Sequence, residues 1–122
     1  MFFPVSGWFV AFVITVALEL PVVMFLLRRA EPELLRLGLL VVFANLATHP
    51  VVWYVLTQLL LVGTPSYVLV AETWAIAAET VFFLASIRGL PVRRAIVAAV
   101  AANAVSFLVG RLIGGLWPDL IG

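Results

Sequence analysis

The sequence predicts an all-α membrane protein, a four-transmembrane-helix bundle made of two tandem parallel-repeat helical hairpins, with both termini outside (N-out/C-out). Three observations predict it: the composition, the placement of the arginines, and a polar residue recurring nine positions from them. Of the 122 residues, 66% are hydrophobic and 11% are charged. A soluble domain is roughly half apolar and about a quarter charged. A chain this short cannot hide such an apolar excess from water, so lipid is the solvent that fits.

A membrane-crossing helix needs about 20 mostly apolar residues. Four stretches qualify: about 7–27, 37–62, 67–87 and 95–116. The first ends at Arg28-Arg29 and is followed by the polar turn Ala30-Glu31-Pro32-Glu33. It lacks a basic leader region and is long enough to span, so it reads as a helix and not as a cleaved signal peptide. Gly63-Thr64-Pro65-Ser66 marks the second connection. The third is the segment from Arg88 to Arg94. Connections this short make sequential helices antiparallel neighbours. The runs show no apolar/polar alternation, which argues against a β-barrel. The whole chain, 1–122, reads as a single transmembrane domain.

Arginines set the orientation. Arg28, Arg29 and Arg36 flank the first connection, Arg88, Arg93 and Arg94 flank the third, and the middle turn has no basic residue. The positive-inside rule puts loops 28–36 and 88–94 in the cytoplasm, with the chain in a bacterial cytoplasmic (inner) membrane. Asp119 is the one charged loop residue that does not fit this pattern.

Counting inward from the arginines exposes a repeat. Glu19 and Glu79 each lie nine residues before an arginine, Arg28 and Arg88. Asn45 and Asn103 each lie nine residues after one, Arg36 and Arg94. Thr48 and Ser106 each follow their asparagine by three. Segments of about 7–62 and 67–116 therefore read as two copies of one hairpin, related by an axis along the membrane normal.

Nine residues of helix rise about 13 Å, close to the midplane of the bilayer. A carboxylate there is costly unless it is paired, neutralised or wetted. An unsatisfied carboxamide is costly too. The cheapest arrangement turns Glu19, Asn45, Glu79 and Asn103 inward to hydrogen-bond across the axis. His49 shares the face of Asn45, one turn further out. Its counterpart in the second copy is Phe107. Pro50 and Pro21 lie close to these polar residues and are expected to disturb the helices there. Polar side chains beside broken helix geometry suit an ion or proton site. The candidate ion, proton or substrate site is Glu19, Asn45, Thr48, His49, Glu79, Asn103 and Ser106, with a bound cation as the candidate cofactor. Glu19, Glu79 and His49 are the candidate metal ligands, since oxygen donors suit hard cations and one imidazole admits a transition metal.

Two further groups stand out. Glu72 and Arg111 fall near the outer interface on adjacent helices and are expected to form an ion pair or a polar path inward. Ala98, Ala102, Ser106, Gly110 and Gly114 put a small residue at every fourth position of the last helix, a ridge for close helix packing or for a dimer. Trp8, Trp53, Tyr54, Tyr67 and Trp74 read as span fillers and interface anchors, and Trp117 as a belt residue.

The composition also excludes functions. There is no cysteine, which removes disulfides, thiolate catalysis and Cys-ligated zinc or iron–sulfur sites. A net charge of +1 creates no field to draw in nucleic acid. No phosphate-binding loop, H-E-x-x-H or G-x-S-x-G motif is present. The function expected is binding or transport of a cation or protons by a homo-oligomer in the bilayer. One alternative is a structural or assembly subunit among partner membrane proteins. Another is a membrane-embedded enzyme using Glu and His as acid and base.

Overall fold

The computed structural model describes residues 5–61 and 64–116. Trp117 and Asp119 lie outside the described residues, as do Val62, Gly63 and the side chains of Trp8 and Trp53. Among the described residues there are helices, turns and no strands.

Helix α1 spans Val5–Leu27 and continues through Pro21 without interruption. Helix α2 spans Leu34–Pro50, starting just after Pro32 and Glu33. It then runs directly into a π-helical stretch, Val51–Leu56, and three α-helical residues, Thr57–Leu59. Pro50 lacks the N–H that would continue the α-helical ladder, and widening to π geometry lets the chain carry on as a helix. The hydroxyl of Tyr67 donates to the Val52 carbonyl at 3.0 Å, satisfying one acceptor of this stretch from outside.

Helix α3 spans Pro65–Ser86. Thr64 caps it, accepting from the Tyr67 N–H at 3.3 Å, and Pro65 occupies the first helical position, where its missing N–H costs nothing. This start lies two residues before the one expected from hydropathy alone. The chain leaves α3 through Gly89, whose φ of +77° belongs to the left-handed region that glycine enters freely. Helix α4 spans Val92–Leu116. Arg93 and Arg94 sit in its first turn, where the helix dipole disfavours positive charge.

Helix α1 packs against α2 and α4, and α3 packs against the same two. The well-buried apolar residues concentrate towards the arginine-bearing connections: Val23 and Leu27, Leu37 and Val41, Phe83 and Ile87, Ala95 and Ala98. Both of those connections lie at one end. There the Arg36 side chain pairs with Glu31 and donates to the Ser86 carbonyl at the end of α3.

The outside of the molecule is apolar. Phe25, Phe43, Val81, Leu108 and Leu112 all stand exposed, while Glu19 and Glu79 are only 2% and 1% exposed. Three helices are long and apolar enough to cross a membrane: Phe9–Leu27, Pro65–Ser86 and Val92–Leu116. Helix α2, before its π-helical continuation, is apolar but 17 residues long. With apolar residues facing out and carboxyl groups facing in, this is a helical integral membrane protein.

Candidate functional site

Each helix contributes one polar residue to a layer just beyond the apolar core. Glu19 comes from α1, Asn45 from α2, Glu79 from α3 and Asn103 from α4, and all four are buried. The Asn45 carboxamide donates to Glu19 Oε1 at 3.2 Å and to the Val41 carbonyl at 2.9 Å. The Asn103 carboxamide donates to Glu79 Oε2 and to the Ala99 carbonyl at 2.8 Å. Each amide nitrogen thus spends one proton on its own preceding helical turn and one on a carboxyl of its antiparallel neighbour.

The hydroxyls add a second tier. Thr48 Oγ1 lies 3.4 Å from the Asn45 carbonyl, and Ser106 Oγ lies 3.2 Å from the Asn103 carbonyl. Ser106 also reaches Glu19 Oε2 at 3.1 Å. A hydroxyl has one proton, and a carboxyl acceptor makes the stronger bond, so the Ser106 proton belongs on Glu19. Glu19 therefore accepts from two donors. Glu79 accepts from one, its carboxyl also shares a side-chain hydrogen bond with Glu19, and its Oε1 is buried without a partner.

Among the described residues, every donor that reaches these two carboxyls is neutral. The two carboxyl groups interact with one another electrostatically, and Glu72 adds to the interaction.

Beside the layer, on the side away from the arginine-bearing connections, is a cavity of about 160 Å³. Asn45, Thr48 and His49 of α2 line it, with Asn103, Ser106 and Phe107 of α4. Glu72 and Ala75 of α3 and Thr15 of α1 complete its walls, with Val52 and Ala71. His49 packs edge-on against Phe12, with centroids 5.7 Å apart and planes at 85°, and its Nδ1 is buried without a partner.

Most of the residues singled out from sequence therefore come together, and others do not. Glu72 and Arg111 form no ion pair. Glu72 lines the cavity, whereas Arg111 is exposed and its guanidinium lies 5.7 Å from the centroid of the Phe107 ring. A lipid-facing arginine at a helix end gains more by snorkelling over an aromatic ring than by entering the bundle. No three His, Asp or Glu side chains among the described residues gather closely enough to hold a metal ion, so Glu19, Glu79 and His49 do not form a ligand set. The small-residue ridge is divided: Ala98 and Ala102 are fully buried within the chain, while a side chain at Gly110 would meet open space.

Thr15 is the polar lining residue that sequence reasoning missed. It lies four positions before Glu19, on the same helix face, so helical spacing alone would have found it.

The fold and the layer define a class: helical membrane proteins with carboxyl groups buried against carboxamides inside the bundle. Comparison with models of protein families, with curated proteins and with solved structures finds no match for this chain.

Proposed function

We propose that the chain crosses the bilayer four times as a bundle of two repeated hairpins and binds or transports protons or a monovalent cation at Glu19 and Glu79. One observation carries this reading. Two carboxyl groups lie side by side in a membrane interior, and only neutral donors reach them among the described residues. Neutral hydrogen bonds alone do not compensate two buried charges, so a mobile positive charge completes the layer.

The repeat is supported bond by bond. The Asn45–Val41 bond recurs 58 positions on as Asn103–Ala99, and the Thr48 hydroxyl beside the Asn45 carbonyl recurs as the Ser106 hydroxyl beside that of Asn103. The cavity walls pair as well, His49 with Phe107 at the same offset and Thr15 with Ala75 at 60, the offset of Glu19 and Glu79. With loops 28–36 and 88–94 cytoplasmic, the cavity opens away from the cytoplasm. Its lining stops at the Asn45–Asn103 level, and a continuous path is completed between protomers of a homo-oligomer.

The test is flux across liposomes, read with an internal pH dye under an imposed potential. Glu19→Gln and Glu79→Gln keep the shape and most of the hydrogen bonds. Each is expected to lower flux by about tenfold or more if a charge is carried there. Unchanged flux in both variants would sink the proposal. It would leave the layer as a device that fixes helix register in an assembly subunit, a role that Glu-to-Asn bonding also serves.

A further inference from the structure

We infer that the 160 Å³ cavity is a binding site for a small N–H-bearing monocation, an ammonium or a short primary amine, which reaches the carboxyl layer from the side of the chain termini. The inference rests on the reading of Glu19 and Glu79 as a cation or proton site, and it names the cargo class and the side of access.

Charge selects a cation. Glu72 lines the cavity, Glu19 and Glu79 lie buried in the layer just beyond, and no arginine is among the lining residues. The basic group nearest in sequence to a lining residue of α4 is Arg111, which is exposed and turned onto the Phe107 ring.

Shape and donor chemistry select among cations. A transition-metal ion, or a divalent ion held mainly by carboxylates, requires several ligands drawn to about 2.0–2.6 Å around one point, and among the described residues no three His, Asp or Glu side chains converge in that way. An ammonium instead takes separate acceptors at ordinary hydrogen-bond distances on different walls. This cavity provides such walls. Acceptor-bearing residues stand on separate walls, Glu72 on α3, Asn45 and Thr48 on α2 and Asn103 and Ser106 on α4, and the His49 Nδ1 is buried beside them without a partner. Glu79 Oε1, also unpartnered, waits in the layer beneath. A void of roughly 150 Å³ accommodates a six-carbon ring, so the cargo has about six non-hydrogen atoms or fewer.

Packing sets the direction. On the arginine side the space between the helices is filled by Val23, Leu27, Phe83 and Ala98, all essentially inaccessible. On the other side small residues, Ala71 and Ala75, leave the space open.

The chain has no cysteine, so single-cysteine variants report on one position each. Ala75→Cys and Thr15→Cys, on different helices, are made in the full chain and labelled in oriented membrane vesicles with 2-aminoethyl methanethiosulfonate, a small primary amine of the cargo class, with free cysteine as a scavenger on the opposite side. Both are expected to react only from the side of the chain termini. Methylammonium is expected to slow the reaction by about threefold at twice its dissociation constant. Sodium and tetraethylammonium at the same concentration are expected to leave it unchanged, and Glu72→Gln is expected to abolish the protection. Labelling from the arginine side, no labelling of either cysteine, or equal protection by sodium would overturn the inference. Failure here alongside flux that still depends on Glu19 and Glu79 removes the cavity's role alone. Flux indifferent to both glutamates removes the parent reading whatever the labelling shows.

Discussion

The two glutamates are not equivalent, and their difference is measurable. Glu19 accepts from Asn45 and Ser106, so loss of either donor leaves the other. Glu79 accepts from Asn103 and has a second oxygen without a partner. Asn103→Ala would strip the carboxamide donor of Glu79 and leave it only its bond with Glu19, whereas Asn45→Ala would leave Glu19 with both Ser106 and Glu79. Asn103→Ala is therefore expected to destabilise the fold by about 1 kcal/mol more than Asn45→Ala, within the range for leaving a buried acceptor unpaired. Unfolding in mixed detergent micelles measures both, and equal losses would contradict the asymmetry. The membership of this layer was legible in the sequence because the arginines act as rulers, fixing four polar residues at one depth. The pairing within it was not. Nothing in the spacing distinguishes a Ser106 that caps its own helix from one that crosses to Glu19, since the choice depends on the rotation of α1 against α4.

At the level of elements, the sequence marked Pro50 and Pro21 as disturbances, and the two behave differently. After Pro50 the helix widens into π geometry, and the Tyr67 hydroxyl takes up a carbonyl there. Pro21 is exposed on the outer face and α1 passes through it. The distinction depends on which neighbour can supply a substitute partner, a tertiary fact. Small residues differ in the same way. At Gly38 an added Cβ would lie 3.7 Å from the end of Met24 and 3.8 Å from Leu20, ordinary contact distances. Gly38→Ala is expected to stabilise α2 by about 0.5–1 kcal/mol through helix propensity. Ala98 has no exposure at all, and Ala98→Leu is expected to cost about 1–3 kcal/mol by overpacking. Thermal unfolding in detergent compares the pair, and a destabilised Gly38→Ala would show that the groove between α1 and α2 is tighter than the contacts indicate.

For the molecule as a whole, composition alone made the membrane legible, because an apolar exterior follows from having too few polar residues to cover one. Orientation is a separate matter, and it rests on the arginines. An outside-active reporter fused after residue 122 is expected to be active, and so is one inserted at Ser66. The same reporter inserted near Arg29 or Gly89 is expected to be silent, as the positive-inside rule requires. The opposite pattern would invert the chain in the bilayer and with it the side from which the cavity is reached. The cavity itself was not legible. Its walls include Ala71, Ala75 and Val52, residues that carry no chemical signal and matter only because they are too small to fill the space.

The bond from Ser106 to Glu19 spans 87 positions of sequence, and this bears on how the protein is made. Within the first hairpin, Glu19 already has Asn45, so that hairpin can leave the insertion machinery with its acidic group part-satisfied. The second hairpin carries its own pair, Glu79 and Asn103. In the proposed four-crossing arrangement each half could thus enter lipid before the other is synthesised, in keeping with helices that insert first and associate afterwards. The Ser106 hydroxyl is the late piece, arriving when translation is nearly over, and its docking on Glu19 registers that the two halves have met.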